Sequence, residues 1–479
     1  MRVVKSKDID SGLFQRYSPE ESNRVKAIIA GVRRSGDRAL RDFCREFDDA
    51  VIDEIKVRKE EIKGAYDLIE AGVMEAIKVA VSSAAKIAQK QLKSIKGFSL
   101  KDKGLTFEMR VNSIRRVGCY VPGGARPLPS TAVMLVTPAK AAGVEEIVLC
   151  TPPKKDGCID PTVMVAADMA GVTEIYRVGG AQSIAAMAYG TESIKPVDMI
   201  VGPGNRYVQA AKREVFGRVG VEFLTGPSEI CIVADSSAND EIVALDLIAQ
   251  AEHDRDARII LLTDNERLAR FVAERLEELA EEIGTREILR RSVDKGQAIV
   301  LGSLDEAPEI ANKLAPEHLV LMTRKGKRFI EQFKVFGTMF LGRYASVAVG
   351  DYLIGPNYTL PTQGGARYSG GLSALSFLRL SNVVQVTKEG YDRLSYPAQN
   401  LARVEGFDGH WRSIMARASQ AARKRAGMDK PRVSPAKTKK EKKKTRRAGK
   451  RAIKALKGAI PKGKKLRASN AIKGFKRGG

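Results

Sequence analysis

Few residues in this 479-residue chain are suited to acid–base or metal chemistry, because it holds only three histidines. His253 stands in "DLIAQAEHDRDARIILLT", three places after Gln250 and beside Glu252, just before an apolar run. An imidazole and an amide at i and i+3 share one face of a helix, which suits two ligands of one metal ion and equally a satisfied surface turn. His318 follows Glu317 in "LAPEHLVLM" at the entry to a strand, and His410 lies in "VEGFDGHWRS", five residues after Glu405. A lone histidine is more often a packed or capping residue than a ligand. Here each has a carboxylate or amide close by, and carboxylates orient imidazoles for metal binding or proton transfer. Asp351 adds an acid in the Gly- and Pro-rich "VGDYLIGPNYTLPTQGG". Neither H-E-x-x-H nor a cysteine quartet occurs, so any metal would be held by dispersed nitrogen and oxygen ligands, as at a catalytic site.

Three loops suit a ligand's approach to the backbone. "CYVPGGARPLPST" (119–131) follows an apolar run and offers Tyr120 as a wall, though a plain turn reads equally well. In "VGPGNRYVQAAK" (201–212) a strand ends in Gly202-Pro203-Gly204 and a helix starts at Asn205. Ligands of open α/β folds bind at such strand ends, and helix N-termini attract phosphate. Tyr207 stands where the last glycine of G-x-G-x-x-G would be, so a nucleotide would not bind in the standard mode. "TGPSEICIVAD" (225–235) puts Ser228 and Glu229 before an apolar strand, as a site or as a capped turn.

The elements that must carry these residues fall into distinct stretches. Residues 21–97 show apolar spacings of three and four, a helical pattern. From about 117, β-rich runs alternate with helix-length segments: "EEIVLCTPP" before "DPTVMVAADMAG", "MIVGPG" before "NRYVQAAKREVFG", "ARIILLT" before "DNERLARFVAERLEELAEEIG". That alternation implies parallel sheets covered by helices on both faces, and the βα units could form two similar halves. After about 375 the sheet pattern ends, and residues 382–425 read as mostly helical.

The net charge of +25 is a property of one segment. Residues 426–479 hold 21 Lys or Arg against two acids, while the other 425 residues hold 61 bases against 55 acids. This tail has few large apolar residues and is expected to be disordered, binding phosphate backbones without sequence preference or simply staying solvated. A hydrophobic content of 43% fits a soluble globular class, and no apolar run reaches membrane-spanning length. The opening "MRVVKSKDIDSG" lacks a signal sequence's apolar core. Five scattered cysteines, Cys44, Cys119, Cys150, Cys158 and Cys231, suit a reducing cytoplasm, with the thiols buried as small hydrophobes.

Taken in order, "YVPGG", "GPGN-YV--AK", "GPSE", "Q-EH", "PEHL", "GDY--G-N--LPT" and "EG---H" resemble the histidinol dehydrogenase family over about residues 5–420. Each motif alone is weak; the ordered set is specific. The resemblance implies an α/β fold of two Rossmann-like parallel-sheet domains of the atypical, non-GxGxxG type, with helical N- and C-terminal segments and a disordered basic tail. The expected divisions are an N-terminal arm (1–20), a helical segment (21–118) packing on the second α/β domain, an NAD-binding domain (119–228), a zinc and catalytic domain (229–375), a C-terminal helical dimerisation segment (376–425) and the tail (426–479). Gln250, His253, Asp351 and His410 match the family's ligands of one zinc per subunit. Glu317 and His318 match its catalytic pair. Tyr120, Gln182 and Asn205 match NAD contacts, and Ser228 and Glu405 match substrate contacts, as do His318 and the four zinc ligands. Glu405 and His410 reach the partner subunit's site in the family, which implies an intertwined homodimer.

The implied reaction takes L-histidinol through an aldehyde to L-histidine with two NAD and one water. A histidine is suited to removing the hydroxyl proton, because its intrinsic pKa of about 6.5 lies near the operating pH. Glu317 beside it is placed to help activate the water, and zinc would mainly position the substrate. Cys119 has no His or Lys neighbour in sequence that would lower its pKa, so a covalent thiol route is not expected. One departure stands out: the family reads "N-H-x-L-P-T" where this chain has Tyr358 in "NYTLPT". A phenol still hydrogen-bonds but carries no positive charge, so a paralogue oxidising another polar alcohol is the alternative. A nucleic-acid-binding protein acting through the tail is the alternative of a different class.

Overall fold

A computed structural model describes residues 1–14, 23–123, 126–223, 226–324, 326–355 and 357–425. The basic tail therefore lies outside the described residues. The strands in chain order are β1 (Arg2–Lys5), β2 (Phe98–Asp102), β3 (Leu105–Ser113), β4 (Arg116–Tyr120), β5 (Glu146–Thr151), β6 (Glu174–Arg177), β7 (Met199–Val201), β8 (Gly220–Val221), β9 (Glu229–Ala234), β10 (Arg258–Thr263), β11 (Gln297–Val300), β12 (His318–Met322), β13 (Thr338–Leu341) and β14 (Leu378–Val386). The chain divides into two compact units, residues 1–98 with 108–383, and residues 99–107 with those from 384 onward.

The first unit holds two parallel sheets, of order β6-β5-β4-β7-β8 and β1-β11-β10-β9-β12-β13. Apart from β1, both run third-second-first-fourth-fifth in chain order, the doubly wound arrangement with its reversal between the first and fourth strands. The expected two halves are there. Strands β4, β9 and β12 are buried along their whole length, as near-continuous apolar runs require. Covering helices alternate with the strands on both faces, so the α/β class holds.

The segment before β4 departs from expectation. Its helices pack mainly on the first sheet, although helix Ala71–Leu92 also meets the segment Gly350–Ile354 that follows β13. Val25, Ile28, Ile29 and Val32 of helix Asn23–Phe47 share a core with Ile184, Met187 and Val208. Helix Ala71–Leu92 joins the core of the opposite face, with Ala132, Val136 and Val163. These helices supply the cover that the first sheet's own short helices leave incomplete. Residues 2–5 of the expected arm form β1, an edge strand of the second sheet in register with β11.

Residues 98–113 form β2 and β3 where a helical segment was expected to continue. Leu105, Phe107, Met109 and Val111 alternate with Thr106, Glu108 and Arg110, a period of two that favours a strand. The turn between them uses Lys103 and Gly104 at φ of 42° and 83°, where the glycine carries little strain. Strand β14 likewise occupies residues expected to be helical. In the second unit, helix Lys388–Val404 packs along helix Asp408–Arg417, and the Tyr391 hydroxyl donates to the Ile414 carbonyl at 3.2 Å. Among the described residues no helix is long and apolar enough to cross a membrane. Four cysteines are buried as expected, but Cys158 is exposed, lying in the turn that precedes helix Pro161–Ala170.

Candidate active site

The second sheet presents its candidate catalytic residues at the N-terminal ends of its strands. His318 opens β12, Glu229 opens β9, and His318 pairs in register with Ile230 on one side and Thr338 on the other. Helix Ala307–Leu314 ends on Ala315 in the left-handed region (φ 53°), turning Pro316 and Glu317 toward the sheet edge. A side chain at Gly337 would place Cβ 2.5 Å from the Glu317 carbonyl, so only glycine lets β13 begin this close to β12.

Glu229, which the sequence offered only as part of a loop, turns out to organise the pair. Its amide donates to Glu317 Oε2 at 2.8 Å, and its carbonyl lies 3.0 Å from His318 Nδ1. A carbonyl only accepts, so Nδ1 carries the proton and Nε2 keeps its lone pair. Nε2 is buried and has no hydrogen-bond partner within the protein. The residue lines a small cavity with Thr338, Phe340, Asp351, Asn357 and Tyr358. Burial lowers the His318 pKa to about 4 against the opposing pull of the Glu229 carbonyl, so the ring is a neutral base. Burial raises Glu317 well above the usual carboxyl value, and the charges of Glu229 and Asp351 add to the rise. The Glu229 carboxylate is buried and paired with Arg258 at 2.9 Å. Arg258 also donates to the carbonyl of Leu13 and, through its amide, to that of Ser228 at 2.9 Å.

Gln250 and His253 sit at the C-terminal end of helix Asp240–Ala251 and just past it. Gln250 is buried; the His253 side chain is half exposed. Asp351 enters from the single-turn segment Gly350–Ile354, its carboxylate 4.0 Å from His253 Nε2. Two ligands of a tetrahedral zinc stand about 3.4 Å apart, so a shift of roughly half an ångström lets both hold one ion. His253 is the one ion-pairing partner described for Asp351, and burial pushes its carboxyl up to about 7. A partly buried carboxylate 4.0 Å from a half-exposed imidazole is a donor pair that a divalent cation would suit. The residues present fit a metal. Among the described residues no three His, Cys, Asp or Glu form a metal cluster. Glu405, the C-cap of helix Lys388–Val404, and His410, whose ring lies 5.1 Å from Phe407, are exposed and belong to the second unit.

The first sheet contributes from its C-terminal edge. Tyr120 ends β4, and its hydroxyl accepts from the Gly180 amide at 3.3 Å, at the start of helix Gly180–Tyr189, which carries the buried Gln182. A Cβ at Gly204 would lie 3.2 Å from the Tyr120 ring, so the loop after β7 is pressed against the same tyrosine. Asn205 caps helix Arg206–Val215, its Oδ1 accepting from the amides of Tyr207 and Val208, which leaves Nδ2 to donate outward. Close-set backbone around an aromatic wall suits a nucleotide. Cys119 is buried with its thiol pKa raised by burial, against a nucleophilic role.

Tyr358 is tied to the first sheet's domain. Its hydroxyl lies 2.5 Å from Thr131 Oγ1 and 3.5 Å from Ser130 Oγ, at the start of helix Pro129–Ala141, and burial raises its pKa to about 12. The phenol thus lines the cavity while bonded away from it.

The family model for histidinol dehydrogenase matches residues 15–418. The chain is 45% identical over 395 residues to the histidinol dehydrogenase of Methanothermobacter thermautotrophicus, covering 82% of this chain and 92% of that one. It is 42% identical to that of Bacillus licheniformis over 416 residues, 87% of this chain and 96% of the relative. Its fold matches the crystal structure of histidinol dehydrogenase from Elizabethkingia anophelis with a TM-score of 0.81 at 33% identity, covering 87% of this chain and 97% of the other.

Proposed function

The chain belongs to the histidinol dehydrogenase family, and on that premise we propose that it oxidises L-histidinol through the aldehyde to L-histidine at the site built around Glu317 and His318. The observation that carries this reading is the setting of His318, whose protonated Nδ1 is fixed on the Glu229 carbonyl while its buried Nε2 has no partner in the protein. When bound, zinc would supply a Lewis acid for the substrate's polar end, and NAD the acceptor for hydride. Gln250, His253 and Asp351 would hold the ion, with His410 of a second copy as the fourth ligand. Tyr120, Gln182 and Asn205 would hold the cofactor, and Ser228 and Glu405 the substrate.

The chain's own groups move the protons. His318 Nε2 takes the hydroxyl proton as hydride leaves the adjacent carbon. In the second oxidation, Glu317, whose carboxyl burial holds well above its usual value, helps His318 activate the attacking water.

The protein is proposed to act as a homodimer in the cytoplasm. Leu100, Val384, Val386, Leu401, Val404 and Phe407 of the second unit are large apolar side chains left exposed, an arrangement that favours burial against a second copy. The +19 tail, as a separate accessory feature, has the charge to bind polyanions. The test of the main reading is a panel of polar alcohols on zinc-loaded protein, counting NADH formed per alcohol consumed. Two per L-histidinol supports it. One, or none beside turnover of another alcohol, would favour the paralogue that Tyr358 raises.

A further inference from the structure

A fully buried ion pair lies outside the catalytic machinery described so far. Lys212 and Glu222 have side chains with no exposure, and Lys212 Nζ lies 2.8 Å from Glu222 Oε1. Both also bond to Gly202. The Gly202 amide donates to Glu222 Oε1 at 2.7 Å, and the Gly202 carbonyl accepts from Lys212 Nζ at 2.9 Å. Gly202 has φ of 127°, and a Cβ on it would lie 2.1 Å from the Tyr120 carbonyl. The residue sits where β7 ends beside β4, at the reversal of strand order in the first sheet.

We propose that Lys212 and Glu222 are positioning residues that clamp Gly202 by its amide and its carbonyl, and so set the loop Gly202-Pro203-Gly204 against Tyr120 for the dinucleotide. This rests on the reading that NAD lies over that loop. Lys212 comes from the helix that follows the loop, and Glu222 from the segment after β8, so three stretches of chain are fixed at one point. Packed apolar side chains could fill the same volume at lower desolvation cost. They could not satisfy both peptide groups of a residue held in this conformation. The clamp therefore specifies the loop's shape, and through Gly204 the gap to the Tyr120 ring and the start of the Asn205-capped helix.

The experiment measures NAD binding and steady-state kinetics on the zinc-loaded full chain. Lys212→Met is expected to raise the Kd and KM for NAD by about tenfold or more, leaving kcat at saturating NAD, KM for L-histidinol and zinc content within about twofold. Glu222→Gln keeps the shape and one acceptor oxygen, so it should fold if Lys212→Met does not, and it is expected to raise the same two NAD constants by a smaller factor. Unchanged NAD constants in a folded variant would overturn the clamp. So would a parallel loss in kcat and in the KM of both substrates, which marks general damage to the core. Asn205→Asp, which keeps the helix cap and loses the outward amide donor, reads the parent assignment. If it leaves NAD affinity unchanged, the assignment of NAD to this loop falls; if it weakens NAD while Lys212→Met and Glu222→Gln do not, only the clamp falls.

Discussion

The peptide of Glu229 holds His318: its carbonyl oxygen lies 3.0 Å from Nδ1 of the ring, and the amide of the same residue donates to Glu317. One backbone residue at the start of a buried strand thus fixes the tautomer of the base and the position of its partner acid. Because backbone groups make these bonds, the geometry depends on how firmly β9 begins where it does.

The two histidines near the cavity are expected to separate by role. His318→Ala should lower turnover by about a hundredfold to ten-thousandfold, the usual worth of a general base, with zinc content retained. His253→Ala should lower both. Metal analysis beside kinetics on the two variants decides it, and equal metal loss in both would contradict the assignment.

Stability should depend on pH through His318. Its folded pKa of about 4 lies below the free value of 6.5, so between those limits the unfolded chain binds a proton that the folded one refuses. Stability is then complete above about pH 6.5 and falls as pH drops toward 4, by up to about 3 kcal/mol from this group. His318→Asn, which can still donate to the Glu229 carbonyl, should show a shallower loss in melts from pH 7 to 4.5. A slope identical to the parent's would remove His318 as the cause.

Arg258→Met would strand the buried Glu229 carboxylate. The expected cost is about 2–4 kcal/mol of stability, as for breaking a buried pair, together with a fall in kcat while bound zinc stays the same. Urea titration and metal analysis test this. A stable variant of normal kcat would show that β9 starts correctly without its anchor.

Removing the hydroxyl in Tyr358→Phe leaves Thr131 without its 2.5 Å partner. That should cost about 1–3 kcal/mol, with KM for L-histidinol moving less than about threefold, since the phenol is engaged by protein. A large KM change with unaltered stability would instead make Tyr358 a substrate ligand.

Deleting residues 426–479 should leave turnover intact and abolish retention on nucleic acid at moderate salt, because the tail carries +19 of the chain's +25. Loss of both together would tie the tail to catalysis.

The sequence alone determined what local pattern can determine. Apolar runs of strand length alternating with helical spacings gave two parallel-sheet halves, and the glycines after β7 marked the strand end before the helix that Asn205 caps. The spacing of Gln250 and His253 suggested one shared helix face, but the helix stops at Ala251 and only Gln250 lies within it. The alternation from Leu105 to Val111 is the local signal of β3. Tertiary structure decided the rest. Helix Asn23–Phe47 has an apolar stripe that could have covered either sheet, and only the fit to Ile184 and Met187 chose the first. His253 and Asp351 come within 4.0 Å because a helix end and a turn from distant parts of the chain meet at one sheet edge. The orientation of His318 rests on a peptide group, which every residue possesses. No side-chain pattern can announce which carbonyl will face a ring once the strands are paired.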